Sequence, residues 1–245
     1  MKKINLEKIL KNLREMRLTV MASHLLMMME SNELDSLSIE ELLMRISEEE
    51  LTSRKNNTIS RYKKMAKLSQ KSARLEEINY SVERNINKSV IDQLQSGDYI
   101  MKHRNVIIMG ACGTGKSYIA NALGNNSCEN FYSTYYCRLF EFLEECNQSI
   151  ISDDSCSITI NKYRKYDVLI IDDFLIQELI ARDVHHLFRL MEYRYGNKST
   201  IVCSQLAPGE WHERLGGNLV ADSVIDRILP NAYQIILSGK SLRSI

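Results

Sequence analysis

Gly110-Ala111-Cys112-Gly113-Thr114-Gly115-Lys116-Ser117 fits G-x-x-x-x-G-K-[ST], the pattern of a phosphate-binding loop. The flanks have the order such a loop needs. Val106-Ile107-Ile108-Met109 is a short apolar run that reads as a buried strand feeding the loop, and residues 117–123 read as the helix leaving it. Backbone N–H groups of the loop, with a helix N-terminus behind them, form a cradle for phosphate oxygens. Glycines let the backbone approach where a Cβ would collide. Lys116 is then placed to reach the β- and γ-phosphates and Ser117 to hold Mg²⁺. The expected nucleotide contacts are Gly110, Ala111, Cys112, Gly113, Thr114, Gly115, Lys116, Ser117 and Tyr118. The alternative, a chance glycine-rich turn, does not explain the strand and helix in register on either side.

A second motif lies downstream. Val168-Leu169-Ile170-Ile171 is apolar and ends in Asp172-Asp173, the Walker B arrangement. There the first acid, Asp172, holds Mg²⁺, and the second, Asp173, polarises the attacking water. A core strand ending at a solvated acidic turn has the same appearance, but the phosphate loop upstream favours the functional reading. Asp173 is one methylene shorter than the Glu common at that place, so hydrolysis is expected to be slow or to wait for an activating partner.

The chain has 245 residues, enough for a medium domain and a small one, with 44% hydrophobic and 26% charged residues. No apolar run approaches the ~20 residues of a membrane span. Met1-Lys2-Lys3-Ile4-Asn5-Leu6-Glu7 lacks the apolar core of a signal peptide, which points to the cytoplasm. The six cysteines include no C-x-x-C pair and read as reduced and structural. Cys112, inside the loop, is expected to be exposed and open to alkylation.

Net charge is +1, so the distribution carries the information. Between residues 30 and 50 the charged residues are acidic, with Arg45 as the basic exception. Residues 52–74 reverse the sign: Arg54, Lys55, Arg61, Lys63, Lys64, Lys67, Lys71 and Arg74 occur with no acid among them. That density suits a phosphate backbone without base-specific reading. A solvated helix face that salt-bridges to the acidic block is the competing explanation.

Residues 1–80 contain no Pro and no Gly. Ile4, Leu6, Ile9, Leu10, Leu13, Met16, Leu18 and Met21 recur near a helical period, and Leu37-Ser38-Ile39-Glu40-Glu41 reads as a helix start capped by Ser38. The first third is therefore expected to be all-helical, with Met27-Met28-Met29 in its core. Residues 76–94 read as a helical connector, and Gly97 precedes the α/β body. Strands are expected at 105–109, 131–136, 167–171, 200–204 and 233–237, and helices at 116–124, 138–150, 182–195 and 221–229. This alternation predicts a mostly parallel sheet flanked by helices, with ligand at the carboxyl ends of the strands. The domain expectation is a helical DNA- and partner-binding segment at 1–78 and a P-loop ATPase at 79–245.

Two further places are candidates. Ser204 and Gln205 end the fourth strand, where they either face the γ-phosphate and its water or merely cap the strand. Arg227 follows on a short helix, where it either reaches a neighbouring subunit's nucleotide or pairs with Asp226 or Asp222.

With these residues in hand, the chain resembles the IstB-like ATPases, helper proteins of IS21-type bacterial transposons related to DnaC-type helicase loaders. The resemblance runs through Leu13-Arg14-Glu15-Met16-Arg17-Leu18, the helix start at Ser38, the basic stretch, Asn79-Tyr80-Ser81-Val82-Glu83-Arg84, Asp98-Tyr99-Ile100, both phosphate-site motifs and Glu192-Tyr193-Arg194-Tyr195. Its narrowest part is Ser204-Gln205-Leu206-Ala207-Pro208-Gly209-Glu210-Trp211-His212, followed by Ala221-Asp222-Ser223-Val224-Ile225-Asp226-Arg227. It implies an AAA+ fold, a homo-oligomer with ATP and Mg²⁺ at subunit interfaces, double-stranded DNA and the element's own transposase as partners, Arg227 as an arginine finger, and Ser204 and Gln205 as a sensor. The chain departs from the family at Gly110-Ala111, where Pro is frequent second, at Asp173, and at Phe174-Leu175-Ile176, which lacks the Gly often present. It also ends soon after Arg243, without the span of a helical lid. A helicase loader, an ATP switch with little hydrolysis and a small-molecule P-loop kinase share the phosphate site. The kinase would need an Arg-rich lid, and the basic segment would be idle in it.

Overall fold

The computed structural model describes residues 2–81, 84–151 and 156–242, so Val82, Glu83 and Arg243 lie outside the described residues. The chain forms two compact units, Met1–Arg61 and Tyr62–Ile245.

In the first unit, α1 (Lys2–Glu15), α2 (Thr19–Glu30) and the start of α3 (Ile39–Met65) bury Leu10, Leu13, Ala22, Leu25, Met28 and Ile46. Helical geometry turns one methionine of the run inward: Met28 is 1% exposed and Met27 57%. Ser38 caps α3 as expected. The Glu41 N–H donates to Ser38 Oγ (3.2 Å), and the Ser38 N–H donates to Glu41 Oε2 (2.9 Å), a reciprocal capping box. At α2 the N-cap position is Leu18, which has no polar side chain. The Glu50 carboxylate, from α3, accepts the Val20 and Met21 N–H groups instead (2.9 and 3.1 Å). Arg54 donates to the same carboxylate (2.7 Å) and, with these N–H groups, holds it below the usual carboxylate range.

The second unit begins in the last turn of α3. A 3-10 turn at Leu75–Glu77, α4 (Lys88–Gln95) and the single turn α5 (Asp98–Met101) lead to the body. Its order is β1 (Val106–Gly110), α6 (Lys116–Glu129), β2 (Thr134–Arg138), α7 (Leu139–Ile151), α8 (Ser157–Arg164), β3 (Val168–Phe174), α9 (Ala181–Arg194), β4 (Ser199–Ser204), α10 (Pro208–Arg214), α11 (Leu219–Ile228) and β5 (Tyr233–Leu237). All four strand pairings are parallel, in the spatial order β2-β3-β4-β1-β5. Both faces are covered, which is why the strands read as unbroken apolar runs. Ile107, Leu169, Ile171 and Val202 face a core shared with α7 to α11 and centred on Phe142, Leu187 and Trp211. Val106, Ile108, Ile170 and Ile201 face a second core with α4, α6 and residues 66–78.

Several expectations change. Residues 76–94 are not one helix: Asn87 caps α4 by accepting the Ser89 N–H (3.0 Å), and among the described residues no α-helix lies between α3 and α4. The basic run is helical only to Met65. Beyond it Lys67 is in the left-handed region (φ 52°), and Ala66, Leu68 and Ala73 are buried in the second unit. Residues 62–78, read from sequence with the N-terminal segment, therefore pack with the body. Phe131 (φ 64°) belongs to a turn, which delays β2 to Thr134. β3 runs on to Phe174, so Asp172 and Asp173 lie inside the strand rather than after it. Helices α8 and α10 went unread; Pro208 at the start of α10 was the available signal. Among the described residues no helix is long and apolar enough to cross a membrane.

Two polar anchors, one buried and one half-buried, hold the strand entrances. The Arg194 guanidinium is 1% exposed and donates to Thr200 Oγ1 (3.0 Å), to the Tyr163, Arg164 and Tyr166 carbonyls (3.3, 3.4 and 2.9 Å) and to the Ser199 carbonyl. Burial lowers its pKa to about 9. Asp167 accepts from the Ser133 N–H (2.9 Å), Ser133 Oγ (2.6 Å) and Lys198 Nζ (2.6 Å). Burial opposes its ionisation, but Lys198 and Ser133 outweigh that and depress the pKa. A depressed carboxyl stabilises the fold above its ordinary pKa, and the contribution is lost as pH falls through the folded value. Asp167→Asn should thus cost about 1–3 kcal/mol at pH 7. In thermal melts across pH, its deficit against wild type should close below roughly pH 4.

Candidate functional site: a phosphate loop at the strand ends

The loop begins where β1 ends. Gly110 has φ 150°, and a Cβ there would meet the Leu237 carbonyl oxygen at 2.5 Å, because β5 runs alongside. Gly115 (φ 96°) is the N-cap of α6. Thr114, 1% exposed, donates from Oγ1 to the Ala111 carbonyl (2.8 Å) and closes the turn from inside. Lys116 is 8% exposed, and its Nζ donates to the Gly110 and Ala111 carbonyls (2.7 and 2.8 Å). Burial lowers its pKa, while the nearby Cys203 and Cys112 thiols and the Asp172 and Asp173 carboxylates oppose that shift. The loop carries α6 behind it, a cation within it and no room for side chains at its first glycine. Phosphate is the chemistry that matches this donor set.

Asp172 is 3% exposed. Its Oδ2 accepts the Tyr136 hydroxyl (2.8 Å) and its Oδ1 accepts the Asp173 N–H (2.9 Å). Burial, and then the carboxylate, push the Tyr136 hydroxyl far above its ordinary pKa, so it stays a donor. The β3–β4 register shifts between Ile171 and Phe174, and Asp173 sits at the shift with φ 54°. This irregularity turns Asp173 out to the surface, where Arg138 Nε lies 3.6 Å from its Oδ2.

A cavity of about 240 Å³ unites the parts: Cys112, Lys116, Ser117, Asp173 and Gln205 line it, and so does Gln70. Tyr118 also lines it, with its hydroxyl donating to Glu77 (2.8 Å). Ser204 is turned away. It is fully buried, its hydroxyl donates to the Phe174 carbonyl (3.0 Å) and accepts the Leu206 N–H (3.1 Å). Arg227 stands elsewhere, on α11, ion-paired to Glu192 of α9 and over the Phe188 ring at 4.9 Å, not with Asp222 or Asp226. Cys112 is exposed and the other five cysteines are buried.

The basic residues divide. Arg54 is committed to Glu50 and to the Arg17 carbonyl (2.9 Å), Lys63 is paired with Glu129 (2.6 Å), and Lys67 lies over the Tyr135 ring at 5.6 Å. Lys55, Arg61, Lys64, Lys71 and Arg74 are exposed. Sequence reasoning missed Tyr136 and Arg138, which reach the site only through strand order, Gln70, which is brought there by an irregular segment held on α6, and Arg84, whose guanidinium donates to the Thr114 carbonyl. Of these, Arg138 had a signal once β2 pairs with β3, since it is in register with Asp172.

The geometry at Gly110 gives a direct expectation. Gly110→Ala should cost about 2 kcal/mol or more, seen as a melting-temperature drop of roughly 4–8 °C, and should weaken nucleotide binding in the same preparation.

Comparison with known proteins places this site in a family. The model of the IstB-like ATP binding proteins matches residues 11–244. An insertion sequence ATP-binding protein of Sinorhizobium fredii is 32% identical over 95% of this chain and 93% of its own. Among solved structures, the replication initiator DnaA bound to AMPPCP and single-stranded DNA has a TM-score of 0.56 at 20% identity, covering 71% of this chain and 53% of its own, so this chain spans about half of that protein. The DnaC helicase loader has a TM-score of 0.55 at 15% identity, covering 68% of this chain and 97% of its own. Those two likenesses concern the fold, a parallel-sheet AAA+ P-loop domain. Motifs, sheet and family model agree, and this chain belongs to the IstB-like ATP-binding proteins.

Proposed function

We propose that this protein is an ATP-dependent helper of transposition that assembles on duplex DNA and delivers or stimulates the transposase of its own insertion sequence. One observation carries the reading: Lys116, Ser117, Asp173 and Gln205 line a single cavity at the carboxyl edge of the sheet. In this reading Lys116 and the α6 N-terminus bind the β- and γ-phosphates of ATP. Ser117 and Asp172 hold Mg²⁺, with Tyr136 orienting Asp172. The ion would neutralise phosphate charge. Asp173 polarises water and Gln205 senses the γ-phosphate. The Arg138 guanidinium pairs with the Asp173 carboxylate and competes there with a water, which fits slow basal turnover. Arg227, away from the loop of its own chain, acts on the nucleotide of the next subunit, so that ATP stabilises a homo-oligomer. Lys55, Lys64, Lys71 and Arg74 supply exposed charge for a sequence-tolerant, salt-sensitive contact with DNA.

The experiment is duplex and single-strand binding with and without ATP, at two salt concentrations, with assembly size read in parallel. ATP-dependent multimers on duplex DNA are expected. Preference for single strands would favour a helicase loader, and no DNA binding would favour an ATP switch. Lys116→Ala should weaken nucleotide binding about 10- to 100-fold and remove ATP-dependent assembly with it. Asp173→Ala should bind ATP normally and stay assembled, and turnover equal to wild type would remove Asp173 from the mechanism. Mixing Arg227→Ala with Lys116→Ala subunits should restore part of the turnover that each lacks alone, since some interfaces regain both groups.

A further inference from the structure

Residues 66–74 link α3 to the 3-10 turn, and they are irregular yet tightly held. Two asparagines one turn apart on α6 hold them. Asn121 is fully buried: its Oδ1 accepts the Gln70 N–H (3.1 Å), and its Nδ2 donates to Ser69 Oγ (3.1 Å) and to the Ser117 carbonyl (2.6 Å). Asn125, 6% exposed, donates from Nδ2 to the Lys71 and Ala73 carbonyls (3.2 and 2.9 Å). A buried amide is costly unless its bonds are made, so this hold is specific. The same α6 begins at Lys116 and Ser117.

The stretch has two sides. Lys71 and Arg74 are exposed. Toward the site, Gln70 lines the phosphate cavity with Lys116, Ser117, Asp173 and Gln205. Ser69 lines a neighbouring cavity with Tyr136, whose hydroxyl donates to Asp172. A displacement of the segment therefore moves an amide in the cavity and a side chain beside the tyrosine that supports Asp172.

We propose that residues 66–74 couple DNA contact to ATP turnover, with Lys71 and Arg74 meeting the DNA phosphates and Gln70 orienting the attacking water at the γ-phosphate. A neutral amide both donates and accepts, which suits it to hold a water without competing for its proton. This coupling rests on the proposed function, which supplies the DNA and the hydrolysis.

The test uses the full chain, as wild type, Gln70→Ala and Lys71→Glu, each checked by thermal melting. Four quantities are measured: affinity for a fluorescent ATP analogue, affinity for a duplex of random sequence, and turnover with and without that duplex. Gln70→Ala should keep both affinities within about twofold and lose about tenfold of the duplex-stimulated turnover, the size of one hydrogen bond made in the transition state. Lys71→Glu should keep the affinity for the ATP analogue, weaken duplex binding and lower the salt dependence of that binding by about one ion. Duplex stimulation of Gln70→Ala equal to that of wild type overturns the coupling and leaves the proposed function standing. A wild type that neither binds duplex nor responds to it overturns the proposed function, and the coupling falls with it.

Discussion

Parallel pairing sends every strand of a sheet to end at the same edge, and this constraint makes the site. In the order β2-β3-β4-β1-β5 the phosphate loop leaves β1, Gln205 follows β4, the acid pair lies on β3 and Tyr136 and Arg138 are on β2. These four groups are far apart in sequence. They converge because each crossover helix returns the chain to the opposite edge before the next strand begins. The register is explicit: Met109 is opposite Ser204 and Arg138 opposite Asp172. The break in the β3–β4 ladder then separates two neighbouring acids. Asp172 stays buried against Tyr136, and Asp173 reaches the cavity.

What could be read in the sequence follows from this geometry. The phosphate loop was legible because its chemistry is local: strand, glycines, Lys116 and helix are consecutive. The strands were legible as apolar runs because both faces of the sheet are covered. Tyr136, Arg138 and Gln70 were not legible, since their roles depend on which strand neighbours which and on where an irregular segment is latched. Ser204 and Gln205 looked equivalent as consecutive polar residues at a strand end, yet β4 ends at Ser204 and buries it, while Gln205 follows outside the strand and lines the cavity. For Arg227 the sequence offered a choice between a neighbour's nucleotide and a nearby acid. The acid it meets, Glu192, is on another helix, beyond the reach of spacing arguments.

Polar groups inside this domain are placed where irregular backbone must be fixed. Arg194 gathers carbonyls from the end of α8, the approach to β3 and the start of β4. Asn121 and Asn125 do the same for residues 69–73. Each satisfies backbone groups that no ladder or helix reaches. The apolar layers hold the sheet together, and these side chains decide how the loops leave it.

Leu175 follows the acid pair at a position with φ 57°, a conformation that favours glycine, yet it is a fully buried leucine. The left-handed backbone costs about 1–2 kcal/mol, and burial of the side chain returns about 1.5–3 kcal/mol. The residue is thus held by a near-balance between two terms of opposite sign. Glycine here would relieve the backbone and leave a void where the side chain sits, so strain and packing can be exchanged at this position at little net cost to the fold.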